Sequence, residues 1–234
     1  MKLGFLSDAH GNLIALEKCL SYLNKISVDE IYFLGDAVGY YPQGIEVLNR
    51  LMYDGIHCLL GNHEAMLLGI LDYSLYKEKY YQLEKIKKRI SSDLIEFLQN
   101  LSPEYDYEIG GKKISLMHGG PSNSLLEYVY QNSDLSEFNK ITSEYCFMGH
   151  THYPFVKTKE NQTIINVGSC GMPRDNGLLS SFCVLDTSNW EVSILRLEMD
   201  SLRIKKAYGN STHKAIFDLY KRTPAHYTGS LIIE

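Results

Sequence analysis

Residues 3–12 read Leu-Gly-Phe-Leu-Ser-Asp-Ala-His-Gly-Asn, a short apolar run followed at once by an acid, an imidazole and an amide. Leucines then recur at helical spacing from Leu13 to Leu23. We interpret these segments as a strand followed by a helix, the opening of a βαβ unit. Side chains that can bind a metal or a substrate therefore stand where the first predicted strand ends.

The same arrangement recurs along the chain, because six apolar runs end in polar, glycine-containing segments. These segments are Ser7–Asn12, Gly35–Gly39, Gly61–Glu64, His118–Gly120, Gly149–His152 and Gly168–Arg174. Asp8 and Asp36 lie 28 positions apart, which suits a strand–helix–strand unit of about 30 residues. In open α/β sheets, ligands bind beyond the carboxyl ends of the strands. We therefore expect the six segments to meet along one rim of the fold.

The composition is that of an ordinary globular protein, with 44% hydrophobic and 22% charged residues in 234. No stretch has the ~20 apolar residues of a membrane helix, and the N-terminal apolar run is too short for a signal peptide. The five cysteines form no Cys-x-x-Cys pair. This pattern excludes a disulfide scaffold and a zinc ribbon, and it predicts reduced thiols in a cytoplasmic protein.

The formal net charge is −5, so the overall field does not favour binding to nucleic acid. A phosphorylated substrate would need local positive charge from an arginine, a helix N-terminus or a metal ion. Residues 63–101 have the apolar spacing of one long helix, and residues 77–89 within it contain six basic and two acidic residues. We interpret this basic run as the solvated face of that helix. A steering patch for an anionic ligand is the alternative.

Between residues 8 and 152 the chain contains, in order, Asp-x-His, Gly-Asp, Gly-Asn-His-Glu, His and Gly-His-x-His. This series resembles the signature of the calcineurin-like metallophosphoesterase superfamily. Gly35–Tyr40 and Asn166–Asp175 resemble segments of its small prokaryotic members, among them phosphodiesterases and diadenosine tetraphosphate hydrolases. The similarity extends to about residue 186, whereas residues 187–234 carry no diagnostic motif.

The resemblance and the order of the apolar runs predict an α/β fold, a four-layer α/β/β/α sandwich of two mixed sheets. We expect one domain over residues 1–234, in which residues 1–186 carry the motifs and residues 187–234 add a C-terminal strand and helices. The resemblance also implies a dinuclear metal site at the strand ends. The oligomeric state stays open, and a homo-oligomer is compatible with the sequence.

Seven residues correspond to the superfamily's metal ligands. The resemblance implies that Asp8, His10 and His152 bind one ion, that Asn62, His118 and His150 bind the other, and that Asp36 bridges both. Oxygen and imidazole ligands without a thiolate suit two divalent or trivalent ions of Mn, Fe, Ni or Zn. Of these metals we favour Mn or Fe.

Four further residues are candidates for the chemistry or for substrate contact. His63 resembles the superfamily's catalytic histidine, which protonates the leaving oxygen or stabilises charge there; the alternative is a hydrogen bond within its loop. Arg174 and Asn12 are candidates to hold phosphate oxygens, although Arg174 could tie down its own loop and Asn12 could cap a helix. Tyr40 could stack on a nucleobase or pack inside the protein.

The implied activity is hydrolysis of phosphodiesters or of nucleotide phosphoanhydrides, such as diadenosine tetraphosphate, by attack of a metal-bound hydroxide on phosphorus. A phosphomonoesterase or protein serine/threonine phosphatase is the alternative. Those phosphatases carry an acidic and a basic residue at the positions of Gly39 and Tyr40, which disfavours a phosphoprotein substrate. A non-catalytic scaffold is the remaining reading. We expect a small phosphorylated partner, with a nucleotide as one option, and no membrane partner.

Overall fold

The computed structural model describes residues 1–233, in which we distinguish eleven strands, eight α-helices and two 3-10 helices. The strands are β1 (Lys2–Leu6), β2 (Glu30–Phe33), β3 (His57–Cys58), β4 (Glu104–Ile109), β5 (Lys112–Met117), β6 (Tyr145–Met148), β7 (Phe155–Lys159), β8 (Gln162–Asn166), β9 (Leu179–Asp186), β10 (Glu191–Glu198) and β11 (Ser230–Leu231). The α-helices are α1 (Leu13–Lys25), α2 (Gly44–Tyr53), α3 (Asn62–Leu67), α4 (Leu75–Tyr81), α5 (Leu83–Lys87), α6 (Ser92–Gln99), α7 (Ser201–Tyr208) and α8 (Lys214–Phe217). The 3-10 helices are Ser136–Lys140 and Asp218–Lys221.

The strands form two mixed sheets, as predicted. The first has the order β11-β10-β9-β1-β2-β3, and the second has the order β4-β5-β6-β8-β7. In the first sheet β1 is parallel to β2 and antiparallel to β9. In the second, β6 is parallel to both of its neighbours, and a turn at Gly110-Gly111 joins the antiparallel pair β4 and β5. The central parallel strands carry most of the polar segments at their carboxyl ends.

The two sheets pack face to face through alternate side chains of their strands. Leu3 and Phe5 of β1 point into this interface, whereas Leu6 belongs to the core on the other face of the first sheet. The Phe5 ring stacks on Phe147 of β6, with 3.9 Å between the ring centroids and 10° between the ring planes. The strand ends of both sheets are thereby held in a fixed relation to each other.

The outer layers of the sandwich differ in kind. Helices α1, α2, α5 and α6 cover the first sheet through a core that includes Leu16 and Leu20. The second sheet is covered by residues 129–141, where Leu135 and Phe138 pack against Phe155. Within residues 129–141 the regular structure of this outer layer is a 3-10 helix and not an α-helix. No helix within residues 1–233 has the length and apolar character needed to cross a membrane.

The prediction of one long helix over residues 63–101 is wrong, because the segment divides into α3, α4, α5 and α6. Gly69 (φ 75°) and Gln82 (φ 57°) adopt left-handed backbone conformations that a continuous helix does not allow. The Ser91 hydroxyl accepts a hydrogen bond from the Leu94 N–H and starts α6. All six basic side chains of residues 77–89 are exposed, so the run is solvated, but it is divided between α4, α5 and the turn after α5.

The C-terminal residues are attached to the rest of the protein through a buried arginine of β10. Arg196 donates two hydrogen bonds to the Asp175 carboxylate, at 2.6 and 3.0 Å. The same guanidinium donates to the carbonyl oxygens of Leu179 (2.7 Å) and Thr228 (3.0 Å). One side chain therefore joins β10, the start of β9, the segment before β11 and the loop that carries Arg174.

We predict that Arg196→Met lowers the free energy of unfolding by about 3–5 kcal/mol, because it leaves the Asp175 carboxylate largely buried without its partner. Urea denaturation at pH 7 measures the change. Lys140→Met is the control, since the Lys140–Glu137 pair is exposed and its removal should leave the midpoint unchanged. Equal midpoints for the two variants would show that the buried pair does not hold the C-terminal segment.

Candidate metal centre

The polar segments that follow the strands converge on one buried cluster. Its members are the seven predicted ligands Asp8, His10, Asp36, Asn62, His118, His150 and His152, together with His63. None of these residues is more than 6% exposed. Charged and polar groups are not buried together in this way unless something compensates them. The cluster is therefore a candidate binding site rather than a polar surface.

The backbone is turned sharply where it presents these side chains. Asp8 (φ 57°), His10 (φ 49°), Asp36 (φ 61°), His150 (φ 63°) and His152 (φ 63°) all lie in the left-handed region. Only ten non-glycine residues within residues 1–233 have positive φ, and these five are half of them. Such conformations are unfavourable for residues with a Cβ and concentrate at functional sites. The local folding of each segment thus aims its side chain at the cluster.

Three histidines of the cluster are held in one tautomer by backbone carbonyls. The Nδ1–H of His10 donates to Val38 O at 3.0 Å, that of His118 to Leu34 O at 2.7 Å, and that of His152 to Met172 O at 2.6 Å. With the proton on Nδ1, each Nε2 presents a lone pair to the cluster. A backbone carbonyl behind the ring is the usual support of a metal-binding histidine.

The first group of ligand atoms comes from Asp8, His10 and His152. The Nε2 atoms of His10 and His152 lie 3.1 Å apart. Asp8 Oδ1 is 3.6 Å from His10 Nε2 and 3.2 Å from His152 Nε2. Asp8 Oδ1 is buried and has no hydrogen-bond partner among the described residues. Lone pairs and a carboxylate oxygen that face one another repel unless a cation lies between them. This arrangement fits a metal ion.

The second group lies on the other side of Asp36. Asp36 Oδ1 is 3.5 Å from His118 Nε2, and Asn62 Oδ1 is 2.9 Å from the same nitrogen. His150 Nε2 is buried, and no described residue hydrogen bonds to it. The other oxygen of Asp36, Oδ2, is 3.6 Å from His10 Nε2 in the first group. The two oxygens of one carboxylate therefore face two separate groups of ligand atoms.

Ligand atoms within 4.8 Å of one another form three sets: Asp8, His10 and His152; Asp36, His118 and His150; and His10, Asp36 and His63. All are carboxylate oxygens or imidazole nitrogens, the donors that Mn, Fe, Ni and Zn accept. The residues present therefore fit transition-metal ions. The structure also brings His63 within reach of an ion, although the sequence predicts a different role for it.

Burial controls the ionisation of the cluster. It lowers the pKa of His150 to about 3 and that of His152 to about 4, so both rings are neutral at pH 7, the form that binds metals. Burial, with the negative charges of Glu64 and Asp8, raises the pKa of Asp36 well above its usual range. A bound cation would oppose that rise and favour the carboxylate.

Several supporting residues were not singled out from the sequence. The Glu64 carboxylate accepts hydrogen bonds from the backbone N–H groups of Asp36 (2.8 Å), Gly61 (3.1 Å) and Val38 (3.0 Å). The Ser169 hydroxyl donates to the Asp8 carbonyl at 2.7 Å. Glu64 and Ser169 lie inside the motif segments but are not among the seven predicted metal ligands. Their polar character within these segments is the signal that could have identified them.

Gly149, directly before His150, is required by close packing. A Cβ at this position would lie 2.1 Å from Ser7 Oγ and 2.6 Å from Asp8 Oδ2. Any larger residue would displace the Asp8 carboxylate, which also accepts the backbone N–H of His150 at 3.0 Å. The glycine of the Gly-His-x-His motif thus allows its segment to approach the segment that follows β1.

Two of the predicted substrate contacts are engaged inside the protein. Asn12 Oδ1 accepts the Ala15 N–H at 3.3 Å as the cap of α1, and its Nδ2 donates to Gly171 O at 2.8 Å. Tyr40 is 9% exposed, and its ring centroid lies 4.8 Å from that of His10 and 5.1 Å from that of Tyr81. The geometry favours a helix-capping role for Asn12 and a packing role for Tyr40.

Arg174 lies at the rim of the cluster and is partly exposed. Its backbone N–H donates to His152 O at 3.3 Å, and Arg222 donates to its carbonyl oxygen at 3.1 Å. Within residues 1–233 its guanidinium makes no hydrogen bond or ion pair, and it lies close enough that its charge lowers the pKa of His150. This guanidinium is available to an anion bound at the cluster.

His63 is buried beside the cluster. Its backbone N–H donates to Asp36 Oδ1 at 2.9 Å, its ring centroid lies 4.7 Å from that of His10, and its Nδ1 has no partner among the described residues. Burial, together with the charge of neighbouring histidines, lowers its pKa well below the usual range. The ring of His63 is therefore neutral at pH 7.

Comparison with known proteins is consistent with this geometry. An uncharacterised protein of Methanocaldococcus jannaschii is 33% identical over 225 aligned positions, covering 87% of this chain and 88% of its own. A symmetrical bis(5'-nucleosyl)-tetraphosphatase of Paracidovorax citrulli is 28% identical over 124 positions, 51% of this chain and 44% of its own. The crystal structure of a metallophosphoesterase from Sphaerobacter thermophilus superimposes with a TM-score of 0.78, at 23% identity, over 95% of this chain and 98% of its own.

The family itself follows from a longer match. A sequence model of the calcineurin-like phosphoesterase superfamily domain matches residues 1–190, the part of the chain that contains every polar segment of the cluster. The two mixed sheets, the buried Asp and His ligand atoms and this match agree with one another. The chain belongs to the calcineurin-like phosphoesterase superfamily.

Proposed function

We propose that the protein is a dinuclear metal-dependent phosphoesterase that hydrolyses phosphodiesters or nucleotide phosphoanhydrides. The observation that carries the proposal is the position of Asp36, whose Oδ2 faces His10 and whose Oδ1 faces His118. A carboxylate in this position would be able to hold two cations, as the bridging carboxylates of two-metal hydrolases do.

The ligands divide into two sets about this carboxylate. We assign Asp8, His10 and His152 to one ion, Asn62, His118 and His150 to the other, and Asp36 to both. When bound, two such ions supply a nucleophile from coordinated water near neutral pH and stabilise the charge that develops on phosphate oxygens. Mn and Fe are the favoured metals within the set that these donors accept.

Two residues that we do not assign as metal ligands act on the substrate in this proposal. The guanidinium of Arg174, unpaired within the described chain, binds non-bridging phosphate oxygens, for which its forked geometry is suited. His63 faces the leaving oxygen. We assign this buried ring the role that the resemblance implies, to protonate the leaving oxygen or to stabilise the charge that develops there.

The surroundings of His63 favour a nucleotide or diester substrate over a phosphoprotein. Protein serine/threonine phosphatases place an acidic residue at the position of Gly39 to support the catalytic histidine. Here a Cβ on Gly39 would lie 2.4 Å from His63 Nδ1, and the glycine has φ 96°, so no carboxylate can occupy that place. The tetraphosphatase activity in the name of the Paracidovorax relative supports the same preference.

The alternatives make different demands on the site. A phosphomonoesterase, protein phosphatases included, could use the same metals. Only turnover measured on monoester, diester and anhydride substrates distinguishes it from the proposed function. A scaffold has no need of a complete ligand set, whereas every proposed ligand and His63 are present and brought together here.

All five cysteines are free thiols, four of them buried, which supports a cytoplasmic location.

We predict that His63→Ala retains both metals but lowers turnover by roughly 10²–10⁴-fold, the range for a lost proton donor. The loss should be smaller for a nitrophenyl ester than for an alkyl ester, because nitrophenolate leaves without a proton. Steady-state kinetics on the two esters, with metal analysis of each preparation, provide the test. His57→Ala, an exposed histidine on β3, is the control. Equal losses on both esters would mean that His63 only shapes the site.

We predict that diadenosine tetraphosphate is hydrolysed with a higher kcat/KM than a phosphothreonine peptide at the same Mn concentration. Arg174→Ala should raise KM or lower kcat with the metals retained, whereas Arg89→Ala, an exposed arginine before α6, should do neither. A tenfold advantage for the peptide, about 1.4 kcal/mol in transition-state binding, would replace the nucleotide reading with the phosphatase alternative.

A further inference from the structure

A row of tyrosines leads outward from the metal centre. The Tyr128 ring packs on His150, with 4.1 Å between centroids and 36° between planes. Tyr130 lies nearly parallel to Tyr128 at 6.3 Å and 10°, and Tyr153 meets Tyr130 edge-on at 5.8 Å. This row of tyrosines begins in contact with a proposed metal ligand and continues away from the cluster.

Tyr128 presents a large part of its ring to solvent, although its loop is firmly held. The side chain is 51% exposed, whereas the next residue, Val129, is buried in the core beneath the second sheet. The Glu127 carboxylate accepts the Ser122 N–H at 2.6 Å, and the Tyr130 N–H donates to Ser133 Oγ at 2.9 Å. The half-exposed aromatic surface is therefore fixed in place beside the centre.

Cationic groups from two other segments lie near enough to act on the Tyr128 hydroxyl. Partial burial raises the pKa of the Tyr128 hydroxyl, whereas the positive charges of Arg174 and, more weakly, Lys77 act to lower it. Arg174 precedes β9 and Lys77 lies on α4, so both charges approach from outside the loop that carries Tyr128. An aromatic surface with adjacent cations, next to a site for phosphorus chemistry, suits a planar base attached to phosphate.

We propose that Tyr128 is a specificity-determining residue that stacks on the nucleobase of a nucleoside phosphate ester. The inference rests on the proposed phosphoesterase function and narrows its substrate class. It assigns the stacking role to the loop between β5 and β6, because Tyr40, four positions after Asp36, is enclosed by other rings. Tyr128 acts on substrate preference and takes no part in bond cleavage.

The test compares two diesters with the same leaving group, thymidine 5'-(p-nitrophenyl phosphate) and methyl p-nitrophenyl phosphate. Tyr128→Ala should lower kcat/KM for the thymidine ester by roughly 5- to 150-fold, the range for one lost base stack. The methyl ester should change less than twofold. Tyr128→Phe should restore the preference. Tyr105→Ala is the matched control, since Tyr105 is 58% exposed on β4.

A binding measurement gives a second readout. Calorimetry of Mn-loaded protein with thymidine 5'-monophosphate should show the same loss of affinity in Tyr128→Ala, with binding of inorganic phosphate unchanged. An equal loss on both esters, or no loss on either, would overturn the proposal. If the wild-type protein binds thymidine 5'-monophosphate through Tyr128 but hydrolyses neither ester, the phosphoesterase proposal fails and the base site stands.

Discussion

The buried carboxylate of Asp36 is the constraint on which the rest of the structure depends. A carboxylate at this depth is unfavourable unless hydrogen bonds and positive charge compensate it. The His63 N–H supplies one hydrogen bond, and Glu64 holds the backbone N–H of Asp36 itself. The remaining compensation is the proposed pair of cations. The sandwich brings the strand ends of two sheets together around this one side chain.

The surrounding fold stabilises an arrangement that its local backbone disfavours. Five of the seven proposed ligands adopt left-handed conformations, each of which costs of order 1–3 kcal/mol. They are retained because the stacked aromatic core between the sheets fixes the strands, and because carbonyls such as Val38 O, which accepts from His10, fix the histidine rings. Rigid support behind the loops that carry the ligands is what a preorganised metal site requires.

Much of the site could be predicted from the sequence, because Asp8, Asp36 and Asn62 each follow an apolar run and adjacent parallel strands place such residues together. The interruption of the predicted long helix could not be predicted. The apolar spacing of the sequence continues through Gln82, although the backbone there is left-handed. The position of Tyr128 could not be foreseen either. It lies in a loop without motif or periodicity, and only tertiary packing brings it onto His150.

The most direct test of the account is the number of metal ions that Asp36 holds. Purified protein reconstituted with Mn and freed of excess metal should contain two ions per chain by elemental analysis. Asp36→Asn preserves the size of the side chain and removes the bridging charge, so it should lose most of this metal and most of its hydrolytic activity. Asp93→Asn, a surface change on α6, should lose neither. Two tightly bound ions in the Asp36→Asn protein would contradict the account.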